Sequence, residues 1–267
     1  MVSAVELLMR EIIYMKRTNK IIIAGPCAAE SKEQISRSIL EAKKRNINFL
    51  RVSLWKPRTK PGFEGLGEKG LDLLILSARS GINPATEVIT PEHARIAMDV
   101  VFKAVSNTKL MLWIGARNQN HYIQREIARV ASGDKRVILM VKNQPWTSED
   151  HWEGIVGHIL NGGIEKNRVI LCHRGFMPNG INPHGYKNVP DFAMAMRIKT
   201  KYGIRMIFDP SHTGGAVEKV ISIMDEIIQH PFDGIIVEVH PDPTHALTDA
   251  KQQLTWKEFD KLNIWKH

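Results

Sequence analysis

Two sets of side chains in this sequence have the types and spacing for chemistry. The first is cationic. The stretch LRVSLWKPRTKPGFEGLG, residues 50–67, holds Arg51, Lys56, Arg58 and Lys60 among Pro57, Pro61, Gly62, Gly65 and Gly67. A helix does not hold that string, and an apolar core does not need it. Further on, Arg117, Lys142 and Arg174 each close a largely apolar run, in LMLWIGAR, RVILMVK and RVILCHR. Arg and Lys converging on one pocket call for an anion to neutralise them. Arg favours bidentate contact with phosphate or carboxylate. The second set mixes sulfur, nitrogen and oxygen donors: Cys27, His212, Glu238 and Asp249. Such a set suits a borderline divalent ion such as Mn2+, Fe2+, Co2+ or Zn2+. A lone cysteine is more often a small buried hydrophobe, and Cys172 keeps that reading.

These side chains need elements to position them. Strand-like runs fall at 21–27, 49–55, 83–88, 110–116, 136–142, 168–174, 205–210 and 234–240. Helix-like stretches lie between them, near 31–45, 67–80, 91–105, 119–131, 149–162, 190–202, 216–229 and 256–263. Thr90-Pro91-Glu92 and Thr147-Ser148-Glu149 read as helix starts with acids in the first turn. Strands alternating with helices argue for βαβ units and a parallel sheet. Eight such units predict one (β/α)8 barrel over 21–267, an α/β fold, with residues 1–20 as a short helical extension. An open doubly wound sheet is the alternative, but no GxGxxG follows the first strand.

In a barrel the carboxyl ends of the strands build the active site. Apart from Asp249, which lies eleven positions beyond Glu238, the polar groups singled out above fall at or just after such ends. Side chains two apart on a strand share a face. Arg51, Arg117, Lys142 and Arg174 are therefore expected to converge from the second, fourth, fifth and sixth strands. The seventh, eighth and first strands are neighbours, which brings His212, Glu238 and Cys27 together.

The net charge of +9 admits nucleic acid, anionic lipid or anionic small substrates. The basic residues are spread along the chain, which weakens the nucleic-acid reading. No apolar run is long enough to span a bilayer. The first residues, MVSAVELLMREIIYMKR, lack a signal-peptide core. Two cysteines give no disulfide framework. A cytoplasmic enzyme with no nucleic acid or membrane partner is the expectation. An inactive basic binding protein is the competing class.

The motifs AGPCAAES, LRVSLWKPRTKPGFEGLG, WIGARNQN, VKN, HRGF, DPSHTGG and VEVHPDPTHALTDAKQQLT occur in this order over about residues 20–255. In this the chain resembles the 3-deoxy-D-arabino-heptulosonate 7-phosphate (DAHP) synthases, which share a barrel superfamily with the 3-deoxy-octulosonate 8-phosphate synthases. The resemblance is to the metal-dependent members, with Cys27 in GPC. It is nearest the bacterial branch often linked to a chorismate mutase domain.

The resemblance implies condensation of phosphoenolpyruvate (PEP) with erythrose 4-phosphate, the first step of the shikimate pathway. It implies Cys27, His212, Glu238 and Asp249 as metal ligands. Arg51, Lys56, Ala116, Arg117, Lys142 and Arg174 match the PEP site. Lys56, Pro57, Arg58, Thr59 and Asp209 match the aldose-phosphate site. Lys56, Lys142, His212 and Asp209 are implied in catalysis. A homo-oligomer, dimer or tetramer, is implied as well, and a separate chorismate mutase is the regulatory partner it leaves open. The segment NQPWTSEDHW and the loop 176–188 depart from the family's common forms. Lys60 stands where many relatives carry Ser. An octulosonate-type synthase using arabinose 5-phosphate is the alternative.

Overall fold

A computed structural model describes residues 20–57 and 61–262. The helical extension expected over 1–20 lies outside the described residues, except Lys20, as do Arg58, Thr59 and Lys60. Eight strands close into a barrel in chain order: β1 (Ile21–Gly25), β2 (Phe49–Arg51), β3 (Asn83–Glu87), β4 (Leu110–Ile114), β5 (Val137–Lys142), β6 (Val169–His173), β7 (Arg205–Phe208) and β8 (Gly234–Glu238). Every neighbouring pair is parallel, and β8 closes on β1 with Gly25 opposite Glu238.

Helices follow the strands: α1 (Lys32–Lys44), α2 (Leu71–Arg79), α3 (Pro91–Ala104), α4 (His121–Ser132), α5 (Glu149–Asn161), α6 (Phe192–Tyr202), α7 (Pro210–Gly214), α8 (Val217–Ile227) and α9 (Trp256–Phe259). Short polar side chains start them. Thr90 accepts from the His93 amide and Ser148 from the His151 amide, as the sequence predicts. Each cap satisfies an amide that the first helical turn leaves without a partner. Among the described residues, no helix is long and apolar enough to cross a membrane.

Strand parity separates two cores. Residues such as Leu50, Leu112, Leu139 and Val237 face outward against the helices. Phe49, Ala85, Met111, Trp113, Met140, Ile170, Cys172, Ile207 and Ile236 fill the barrel interior. Two residues beyond the inner layer, on the same parity, come Arg51, Glu87, Lys142, Arg174 and Glu238. The packed plug thus sets a floor, and the polar groups stand on it at the carboxyl end.

The second strand is shorter than the run 49–55 predicts. Its last rung is Arg51 opposite Ala85. Beyond it the chain folds back on itself: the Lys56 amide donates to Glu64 O and the Gly67 amide to Leu54 O. Gly65 permits this, because a Cβ there would fall 2.0 Å from Leu54 O. The helix expected from residue 67 opens as a 3-10 turn, Gly67–Gly70, before α2.

Candidate active site

A cavity of about 290 Å3 opens at the carboxyl end of the barrel. Arg51, Lys56, Arg117, Lys142 and Arg174 all line it, with Ala116, Pro57, His212 and Glu238. Every cation that the sequence reading placed at a described strand end therefore reaches one space. Arg51 is 2% exposed and lies over the Trp113 ring, 5.2 Å from its centroid. It donates to Pro26 O, Cys27 O and Glu238 Oε1, the last at 3.0 Å. Its Nη1 finds no acceptor among the described residues. A buried guanidinium N–H without a partner is costly, and a ligand anion in the cavity would satisfy it.

Asp209 organises the seventh-strand end. Its Oδ1 accepts from the His212 amide and caps α7. Its Oδ2 accepts from Lys142 Nζ at 2.6 Å and lies 2.8 Å from His212 Nδ1. One carboxylate thereby starts a helix, holds a lysine and turns an imidazole. Burial opposes its charge, but His212 and Lys142 keep Asp209 ionised well below the usual carboxylate range. Burial, helped by Lys142, draws His212 down to about 4, so the ring is neutral at pH 7.

Three of the four mixed donors gather beside the seventh-strand end, at the ends of the neighbouring strands β8 and β1 and on the segment after β8. Donor atoms of Cys27, Glu238 and Asp249 lie within 4.8 Å of one another. His212 Nε2 is 3.8 Å from Glu238 Oε1. Lys56 Nζ bonds both Cys27 Sγ and Asp249 Oδ2, the latter at 2.9 Å. A cationic group thus already sits among these donors, and a thiol, a neutral imidazole and two carboxylates fit a divalent ion. Burial would raise Glu238, yet His212, Arg51 and Lys56 hold it down at about 2. Burial and the Glu238 charge push the Cys27 thiol up. A bound dication reverses that sign, because it stabilises the thiolate directly. Asp249 adopts a left-handed backbone, φ 45° and ψ 35°, and its carboxylate lies with the Cys27 and Glu238 donors. Aspartate tolerates this conformation better than most residues.

A family model described as the DAHP synthetase I family matches residues 7–267. The chain belongs to this family. It is 32% identical over 243 residues to the phospho-2-dehydro-3-deoxyheptonate aldolase of Thermotoga maritima, covering 90% of this chain and 67% of that protein. The crystal structure of that DAHP synthase superposes with a TM-score of 0.77 at 30% identity, covering 91% of this chain and 67% of the other. The chain is also 32% identical over 272 residues to the 2-dehydro-3-deoxyphosphooctonate aldolase of Geobacter sulfurreducens, covering 91% of this chain and 89% of that one.

The DAHP synthetase I membership and the barrel agree with the motif reading, and the structure adds residues to it. Glu87 lines the cavity on the parity of Ala85. Burial raises its carboxyl against the pull of Lys142, Lys56 and Arg51. Gly115 makes room for it, since a Cβ there would fall 2.0 Å from Glu87 Oε1. The 86–87 strand end marked it as polar, and parity was the signal that could have assigned it inward. Lys187, Asn188 and Met177 also reach the cavity, from the loop 176–188. An isolated bridge between Phe176 and Val189 returns that loop to the mouth. Gln252 donates to Glu238 Oε2 at 2.7 Å, and Gln253 Oε1 accepts from the Cys27 amide at 2.9 Å. The two glutamines of DAKQQLT therefore each brace one donor residue. Cys172 is buried in the barrel interior, as expected of a small hydrophobe.

Proposed function

We propose that this protein joins PEP to erythrose 4-phosphate and water, forming DAHP and inorganic phosphate. The observation that carries this reading is the convergence of Arg51, Lys56, Arg117, Lys142 and Arg174 on one cavity beside the Cys27, Glu238 and Asp249 donors. PEP carries a phosphate and a carboxylate, and the aldose carries a second phosphate. Two such anions repel in water. A cavity with this many fixed cations neutralises both and orients them, which supplies much of the catalysis.

Arg51, Lys142 and Arg174 stand on the floor and take the PEP end, with Ala116 and Arg117 at its phosphate. We assign Lys56, Pro57 and Asp209 to the aldose as well, and the family resemblance adds Arg58 and Thr59 of KPRT to that set. C3 of PEP attacks the aldehyde carbon, water adds at C2, and the bond from C2 to the phosphate oxygen breaks. Lys142, held by Asp209, and Arg51, held by Glu238, are fixed before substrate arrives and need no reorganisation. Cys27, His212, Glu238 and Asp249 are the residues we assign to a divalent ion, which when bound supplies Lewis-acid polarisation of the aldehyde oxygen. The family resemblance alone supports a homo-oligomer, a cytoplasmic location and control by a separate chorismate mutase.

Product identification by mass spectrometry tests the reaction. The protein is incubated with PEP, Mn2+ and a panel of aldose phosphates. The expected product is the seven-carbon DAHP, formed with erythrose 4-phosphate. Equal or faster turnover of arabinose 5-phosphate would assign the protein instead to the octulosonate reaction. No consumption of PEP with any aldose would sink the synthase reading altogether.

A further inference from the structure

Three imidazoles form a row outside the barrel, across the start of α4 and one face of α5. His121 lies against both His151 and His158, with ring centroids 4.9 and 4.7 Å away. Trp146 meets His151 edge-on at 4.8 Å. His151 and His158 are two helical turns apart on α5, a spacing that admits one ring from α4 between them.

Two glutamines connect this row to the loop Gly115–Gln119, which carries Ala116 and Arg117 into the cavity. Gln119 Nε2 donates to Ala116 O at 2.7 Å. Gln124 Nε2 donates to Asn118 O at 2.7 Å. A backbone carbonyl only accepts, so each NH2 group faces the loop and each amide oxygen faces away. Gln119 Oε1 then meets His151 Nε2 at 3.0 Å, and Gln124 Oε1 meets His121 Nδ1 at 3.1 Å. An amide oxygen cannot donate. His151 must therefore carry a proton on Nε2, and His121 one on Nδ1. Two loop carbonyls thus dictate the direction of both amides and the protonated nitrogen of both rings.

We propose that His151 and His121, acting through Gln119 and Gln124, are positioning residues that fix the Gly115–Gln119 loop for the phosphate of PEP. This rests on the reading of the cavity as a PEP site. Neither imidazole lines the cavity. Strand β4 ends at Ile114, so the loop's carbonyls need partners beyond the sheet. Imidazole supplies a directional donor, and the stacked His158 ring and the tilted His151 ring on His121 hold the row in place.

The test separates PEP affinity from everything else. His151→Phe keeps a ring in the row and removes the donor, and His151→Gln returns an N–H. Loss of one such bond is expected to raise the KM and the calorimetric Kd for PEP roughly fivefold. kcat and the KM for erythrose 4-phosphate should stay within about twofold, and His151→Gln should recover most of the PEP affinity. Gln119→Leu, a partly exposed substitution, should give the same PEP defect, and the double variant should add little to it. PEP binding unchanged in both His151→Phe and Gln119→Leu would overturn the positioning role while leaving the PEP site intact. So would an equal loss of affinity for both substrates. A wild-type protein that binds no PEP would overturn the site reading and this inference together.

Discussion

The floor of the cavity and its rim are built in different ways. The floor is a set of side chains at strand ends, several of them tied to one another: Arg51 to Glu238, Lys142 to Asp209, Asp209 to His212. The rim is loop. Pro57, Met177, Lys187 and Asn188 approach the cavity from segments with no strand to fix them. Met177 is 56% exposed, whereas Glu238 and Asp209 are fully buried. Buried charges must be paired, so the floor is over-determined and tolerates little change. Exposed loop residues such as Met177 have no such obligation, so that part of the rim is free to vary with the second substrate.

Five substitutions or conditions test that contrast. Cys27→Ala should cost about a thousandfold or more in kcat. The far-ultraviolet circular dichroism spectrum should be unchanged, and metal analysis should show loss of bound divalent ion. Arg51→Leu leaves Glu238 buried without its guanidinium. It should cost about 3 kcal/mol in chemical denaturation, a loss no rim variant should match.

A third test uses pH. Burial draws the His173 imidazole from 6.5 to about 3, where it accepts from the Asp191 amide and stacks on Trp152. The folded state therefore binds fewer protons than the unfolded state between these values. Stability from this group is complete above 6.5 and falls as pH drops toward 3. Urea melts should show about 2 kcal/mol of this loss by roughly pH 5, and His173→Gln should flatten the slope.

Gln252→Ala removes the bond to Glu238 Oε2. It should weaken the divalent ion roughly tenfold by competition with a chelator, with aldose KM unchanged. The smallest effect belongs to the rim. Met177→Ala should shift stability by less than about 0.5 kcal/mol, and its readout is the ratio of rates between erythrose 4-phosphate and arabinose 5-phosphate. A Met177→Ala protein that unfolds as readily as Arg51→Leu would erase the distinction between floor and rim.

The same contrast explains what the sequence made legible. Alternation along a strand is a period-two rule, and it correctly sent Arg51, Lys142, Arg174 and Glu238 to the inner face. All eight strands lie within the predicted runs, each ending short of its run except at Lys142. The second falls furthest short, because Gly65 and the amides of Lys56 and Gly67 draw the chain back before Trp55 can pair. Loops follow no period. Lys187 and Asn188 reach the site through the bridge between Phe176 and Val189, a contact that nothing in their spacing announces. Gln252 and Gln253 looked like ordinary polar residues until Glu238 and Cys27 stood opposite them. His121 and His151 are thirty positions apart in sequence and meet only because α4 and α5 pack side by side.

The closure of the barrel has a consequence for motion. β1 and β8 are joined by five rungs, from Ile21 opposite Gly234 to Gly25 opposite Glu238, while β1 meets β2, and β7 meets β8, over two. The tightest ladder in this part of the wall is the one whose ends carry Cys27 and Glu238. Breathing of the barrel is expected to open at the shorter ladders first, with the β1–β8 ribbon moving as one body. Amide exchange should find its protons among the slowest of the wall. The sulfur and the carboxylate then travel together, and their separation is preserved through fluctuations that displace everything around them.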